Sequence, residues 1–249
     1  MGDVGSLLCG HNKTEGIAKT ALDQLAKSID NFSARAVKFL RDEVSDDLLT
    51  LGPFCARVLL ESSCAALVGR LDCFRMMYLS EFQAQPEYEI GKRARSAFSW
   101  VGDVIPEERP SQSLWSVEHD LLKISRALFS RYMEHVYWKP AVERMLDFVA
   151  SYNSDTLLTE ILALDSETYI NVAKGRSLQL YSILSKGVHW EFFTSALLFD
   201  NNTVKTVIRD TCLLIGHLGL TSHFIPTAYA SLAPSEAMKA YLSLRQDVI

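Results

Sequence analysis

The 249-residue chain has no glycine-rich phosphate loop, no His-Glu-x-x-His metal helix, no Gly-x-Ser-x-Gly nucleophile elbow and no EF-hand loop. These absences remove several common enzyme classes and leave catalysis only to residues dispersed along the sequence. Its five cysteines, Cys9, Cys55, Cys64, Cys73 and Cys212, are widely spread, odd in number and never form a Cys-x-x-Cys pair. They are expected to be reduced, mostly buried thiols, with no metal and no cofactor. Excess positive charge is also missing. A formal net charge of −5 opposes broad attraction to nucleic acid or anionic lipid, leaving room only for a local basic patch. No basic region followed by an apolar run marks a secretory signal, so the expected location is cytoplasmic. The longest uncharged stretch, Thr211 to Ser235, contains His217, His223 and Pro226. It reads as a buried helix followed by an apolar loop, with no membrane association.

What the chain does contain is helical periodicity. Ile17, Ala21, Leu25, Ile29, Phe32, Ala36 and Leu40 recur at steps of three and four, one stripe of a long amphipathic helix. Gly52-Pro53 reads as punctuation, with Pro53 in a first helical turn. Asp72 is placed to cap the segment through Phe82, and Lys92 to Val104 reads as a shorter helix. Leu114, Val117, Leu121, Ile124, Leu128, Tyr132 and Val136 predict another helix, interrupted at Pro140. Ser154 and Ser166 are expected N-caps, the second for a helix reaching about Ser185 with a turn at Lys186-Gly187. Asp200-Asn201-Asn202 caps Val204 to Leu218, and Pro234-Ser235 opens the last helix.

The expected fold is therefore all-α: a compact multi-helix bundle of about nine helices without a substantial β-sheet. Residues 1–13 are expected to be a flexible leader and 14–249 a single helical domain, with a possible sub-boundary at 106–112, where Pro106 to Pro110 forms a charged, double-proline joint.

Chemistry-bearing residues concentrate between Arg176 and Glu191. The core of this segment is Tyr181-x-x-Leu184-Ser185-x-x-x-His189-x-Glu191, and it resembles the polar-residue-to-histidine signature on a late helix of HEPN-like bacterial domains. In active members of that superfamily an arginine, a following polar residue and a histidine, supplied by paired subunits, cleave RNA without metal. The resemblance places Ser185 at the polar position and His189 at the histidine, while Leu184 stands where the arginine is expected. It implies a component of a bacterial stress or antiviral-defence system, catalytically degenerate, that binds RNA or a partner protein or pairs as a homodimer.

The candidate catalytic set is His189, Ser185, Glu191 and Arg176, with Arg176 or Lys186 as a substitute cation. A histidine moves protons near neutral pH, and a cation would stabilise charge developing on phosphate. Lys186 and the basic cluster Lys92, Arg93 and Arg95, close to Trp100, are the candidate phosphate contacts. The competing readings are a helical adaptor with no nucleic-acid role and a metal-independent ribonuclease using His189. In the purely structural alternative, Ser185 satisfies a helix end, His189 bonds inside the bundle and Glu191 faces solvent.

Overall fold

The computed structural model describes residues 4–11, 13–41, 46–84, 99–101, 127–130, 133–152, 159–189 and 200–249. In order these form α1 (Val4–Cys9), α2 (Ile17–Arg41), α3 (Asp46–Leu71), α4 (Cys73–Gln83), β1 (Ser99–Val101) and β2 (Ala127–Phe129). A π-helical turn at Glu134–Trp138 leads into α5 (Lys139–Ser151), followed by α6 (Thr159–Leu162), α7 (Ser166–His189), α8 (Asn201–Ser222) and α9 (Pro234–Val248). The architecture is all-α, about eight helices of substance, with no substantial sheet among the described residues.

The periodic stripe of α2 faces inward as its spacing demands: Ala21, Ile29 and Ala36 are buried, and Leu25, Phe32 and Leu40 pack against the core. Only Ile17, in the first turn, stands out in solvent. Helix α3 lies centrally and packs on α1, α2, α7 and α8. It is long and apolar enough to span a membrane, but 61% of its most apolar window is buried inside the bundle. Buried polar side chains are satisfied along the way, as where the Ser63 hydroxyl donates back to the Leu59 carbonyl. The second central helix, α8, opens at Asp200, whose carboxylate accepts the Thr203 amide at 2.7 Å, as expected of that cap. At Gly219 of α8 a Cβ would lie 2.9 Å from Leu7 Cγ, so the missing side chain admits α1 to the core.

Several expectations are corrected. The supposed leader contains α1, with Val4, Leu7, Leu8 and Cys9 all buried. Pro53 does not start a helix but sits within α3, whose burial on several sides outweighs the lost backbone bond. Where a helix was expected from Leu114 to Val136, residues 127–129 are extended and pair in parallel with β1, Ser99 opposite Ala127 and Val101 opposite Phe129. The extended backbone frees the Leu128 carbonyl to accept the buried Trp138 indole at 3.1 Å, and the Phe129 and Trp138 rings pack 5.6 Å apart. The same pairing replaces the end of the helix expected from Lys92 to Val104. Pro140 does not interrupt the chain: it lies at the start of α5 directly after the π-helical turn, and the helical backbone runs through it. Asp165 caps α7 in place of Ser166, accepting the Glu167 and Thr168 amides at 3.0 and 2.9 Å. Helix α7 then runs through Lys186-Gly187 to His189 without a turn. The Ser154 cap and the 106–112 joint lie outside the described residues.

The five thiols are free, and all but Cys73 are buried. Burial pushes the Cys9 and Cys212 thiols up to about 12, so they are protonated and unreactive at neutral pH.

Candidate functional site

Helix α7 carries the candidate residues and parts them. Arg176 and His189 are thirteen positions apart on one unbroken helix, which separates them by about 20 Å along the axis. Arg176 therefore cannot serve as the cation for His189. It pairs with Asp210 of α8 and donates from Nη1 to the Gln179 side chain at 2.7 Å.

A different arginine reaches the Ser185 end. From α3, Arg57 donates through Nη1 to the Ser185 hydroxyl, and its guanidinium lies 3.9 Å above the centre of the Tyr181 ring. Its Nε is bonded to Glu61 at 2.8 Å, one turn further along α3. Tyr181, Ser185 and His189 recur at steps of four, so Arg57 caps a strip whose next member is the exposed His189. Lys186 is half-buried and three positions from His189, also within reach of it on the helix surface. Neither Lys186 nor His189 pairs with another side chain among the described residues. Both lie in the last turn, where positive charge is favoured by the helix dipole. Leu184, at the position the resemblance assigns to arginine, is 1% exposed and points into the core. Glu191, Lys92, Arg93 and Arg95 lie outside the described residues.

Arg57 was missed because the signal is tertiary: it is 128 residues from Ser185. Its only local trace is Glu61 at i+4, which reads as an ordinary surface pair.

The other half of α7 borders a cavity of about 260 Å³. Tyr169, Val172, Ala173 and Arg176 face it from α7, and Asp210, Leu213, Leu214 and His217 from α8, each set at the spacing i, i+3, i+4, i+7. Ile161 and Leu164 complete the wall. The Tyr169 hydroxyl is 2.9 Å from Thr221 Oγ1, and burial keeps the phenol protonated, well above its usual range. His217 Nε2 is 2.9 Å from the Tyr241 hydroxyl.

No protein-family model matches the chain, and no curated protein or solved structure shows significant similarity to it. Among the described residues no three His, Cys, Asp or Glu side chains are grouped so as to hold a metal ion.

Proposed function

We propose that the chain is a HEPN-like helical component of a bacterial stress or defence system, acting in the cytoplasm, which contacts RNA phosphate through the C-terminal end of α7 without cutting the strand. The observation that carries this reading is Arg57. It brings to Ser185 a cation that the motif position itself lacks, next to an exposed His189 and a half-buried Lys186. Arg57 and Lys186 would meet phosphate oxygens, and Tyr181, 38% exposed, offers a ring edge beside them. Binding is favoured over cleavage because Glu61 and Ser185 already hold the guanidinium, and the motif's own arginine position is a buried leucine.

Fluorescence anisotropy with a labelled single-stranded RNA at low salt tests this. Arg57→Gln and Lys186→Ala should each weaken binding by roughly three- to tenfold and flatten its salt dependence. Wild-type protein that does not bind RNA, or binding that neither variant alters, removes the proposal. Cleavage of the RNA by wild-type protein and not by His189→Ala would establish the ribonuclease reading instead.

A second reading, docking of a partner protein or second subunit, draws on exposed carbon along the same helices. Val172, Leu178 and Tyr181 of α7 and Phe54 of α3 are 54%, 45%, 38% and 45% exposed. Light scattering and capture with a neighbouring gene product test it, and a strictly monomeric protein that recruits nothing counts against it.

A further inference from the structure

We propose that the slot between α7 and α8 is a binding site for a small, uncharged aromatic molecule about the size of indole. The two helices run antiparallel, with Tyr169 beside His217 at one end and Arg176 paired with Asp210 at the other. Facing stripes at this spacing ordinarily interdigitate until the space between helices is filled to interior density. Here they do not, and about 260 Å³ stays open between them. Two features maintain the gap. Ala173 is too short to reach across, and Val172 stands at the rim, 54% exposed.

Volume and charge together set the ligand class. An apolar cavity of about 150 Å³ holds a benzene ring, so this larger slot takes a fused bicyclic system. The walls are mostly hydrocarbon, as at Leu164 and Leu213. The polar groups are all engaged: Arg176 with Asp210 and Gln179, Tyr169 with Thr221, and His217 with Tyr241. A charged ligand would have to leave water for walls of carbon and compete with the Arg176–Asp210 pair, whereas a neutral ring covers carbon and leaves that pair intact. The Tyr169 and His217 rings, 6.3 Å apart in the wall, favour a flat ring over a branched aliphatic one.

The test is titration of indole into the full-length protein, followed by saturation-transfer NMR and by the thermal midpoint, with indole-3-carboxylate as the charged isostere. Saturable indole binding with a rise in Tm is expected, and the carboxylate should bind at least tenfold more weakly. Val172→Trp, which closes the mouth from an exposed position, and Ala173→Phe, which fills the floor, should each reduce indole affinity at least tenfold. Lys239→Ala, on the exposed side of α9, should leave it unchanged. If Ala173→Phe fails to fold, the rim variant decides alone. Absence of saturable indole binding, equal affinity for the carboxylate, or binding that survives Val172→Trp would overturn the proposal.

Discussion

Arg70 Nη2 lies 3.1 Å from His223 Nδ1, and this contact between a buried guanidinium and a buried imidazole fixes the tautomer of the histidine. The same Nδ1 accepts the Leu232 amide at 2.9 Å, so it must present a lone pair to two donors. The hydrogen is then on Nε2, which donates to the Leu7 carbonyl at 2.8 Å. Arg70 spends its remaining donors on the Tyr229 carbonyl and the Ser222 and Ser231 hydroxyls. No carboxylate pairs with it among the described residues. The guanidinium sits instead where the C-terminal ends of α1, α3 and α8 converge, and their partial negative charge stands in for a counter-ion.

Because of this node, stability should fall as the solution is acidified, well before carboxylates titrate. Burial, and after it the Arg70 charge, push the His223 imidazole down from 6.5 to about 3. Below pH 6.5 the unfolded chain takes up a proton that the folded chain refuses, so the contribution is whole above that pH and shrinks as pH drops toward 3. The slope is about 1.4 kcal/mol per pH unit at most, or roughly 2 kcal/mol between pH 6.5 and 5. Urea unfolding at pH 7.5, 6 and 5 measures it. His223→Asn keeps an acceptor near Nδ1 but loses the bond to Leu7; it should be less stable at pH 7.5 and nearly flat across this range. An equally steep fall in the variant would show that His223 is not the source.

A second prediction concerns the connection just beyond α1. Gly10 has φ +75°, and a Cβ there would lie 2.0 Å from the Ala230 carbonyl oxygen, which also accepts the His11 amide at 2.8 Å. Gly10→Ala therefore combines left-handed strain with a backbone clash and should cost roughly 2–4 kcal/mol. Ala230 itself has φ +55°, so Ala230→Gly relieves strain and should gain up to about 1 kcal/mol. Thermal unfolding of the two variants should give shifts of opposite sign.

Legibility of the sequence followed the range of each interaction. The α2 stripe, the Asp200 cap and the start of α9 at Pro234 rest on neighbours a few residues apart, and all were readable. Near misses were also local: Asp165 and Ser166 are both competent caps, and only the geometry shows that Asp165 takes the amides. What stayed hidden was tertiary. Burial of α1 depends on the gap at Gly219, the strand at 127–129 on its pairing with β1 and on Trp138, and Arg57 on the packing of α3 against α7. The continuous helix through Gly187 was missed because a Lys-Gly pair reads as a stop, while packing of α7 on α3 carries the helix past it. In the candidate site the grouping of Ser185 with His189 survives as a helix stripe, whereas Arg176 belongs to another surface.

Capping gives a third prediction. Asp165→Ala should lower the thermal midpoint more than Ser166→Ala, because the Asp165 carboxylate accepts two amides and the Thr168 hydroxyl, whereas Ser166 reaches only Glu143 at 3.3 Å. Those bonds to Thr168, and after them the one to Glu167, hold the Asp165 carboxyl below the usual carboxylate range. Its contribution is therefore present above its unfolded value and disappears as pH falls through the lowered one. The difference between the two variants should narrow in acid, and a constant difference would mean the charge is irrelevant.

The last prediction separates two ways of strengthening the proposed RNA contact. If the short motif were complete in itself, Leu184→Arg would restore its missing cation and strengthen binding. The structure predicts otherwise. Leu184 is 1% exposed in the core, where an unpaired guanidinium has neither water nor carboxylate, so the variant should lose more than about 3 kcal/mol of stability. Arg57 already occupies the neighbourhood of Ser185 from another helix, stacked on Tyr181 and tethered by Glu61. Glu61→Gln should therefore be the productive change. It leaves the guanidinium in place, removes the competing negative charge and should tighten RNA binding by a few-fold with a steeper salt dependence. Calorimetric unfolding and anisotropy on both variants check the pair of claims. A stable Leu184→Arg protein that binds RNA more tightly than wild type would mean that the 184–189 stretch works as a local motif and that Arg57 is only a packing residue.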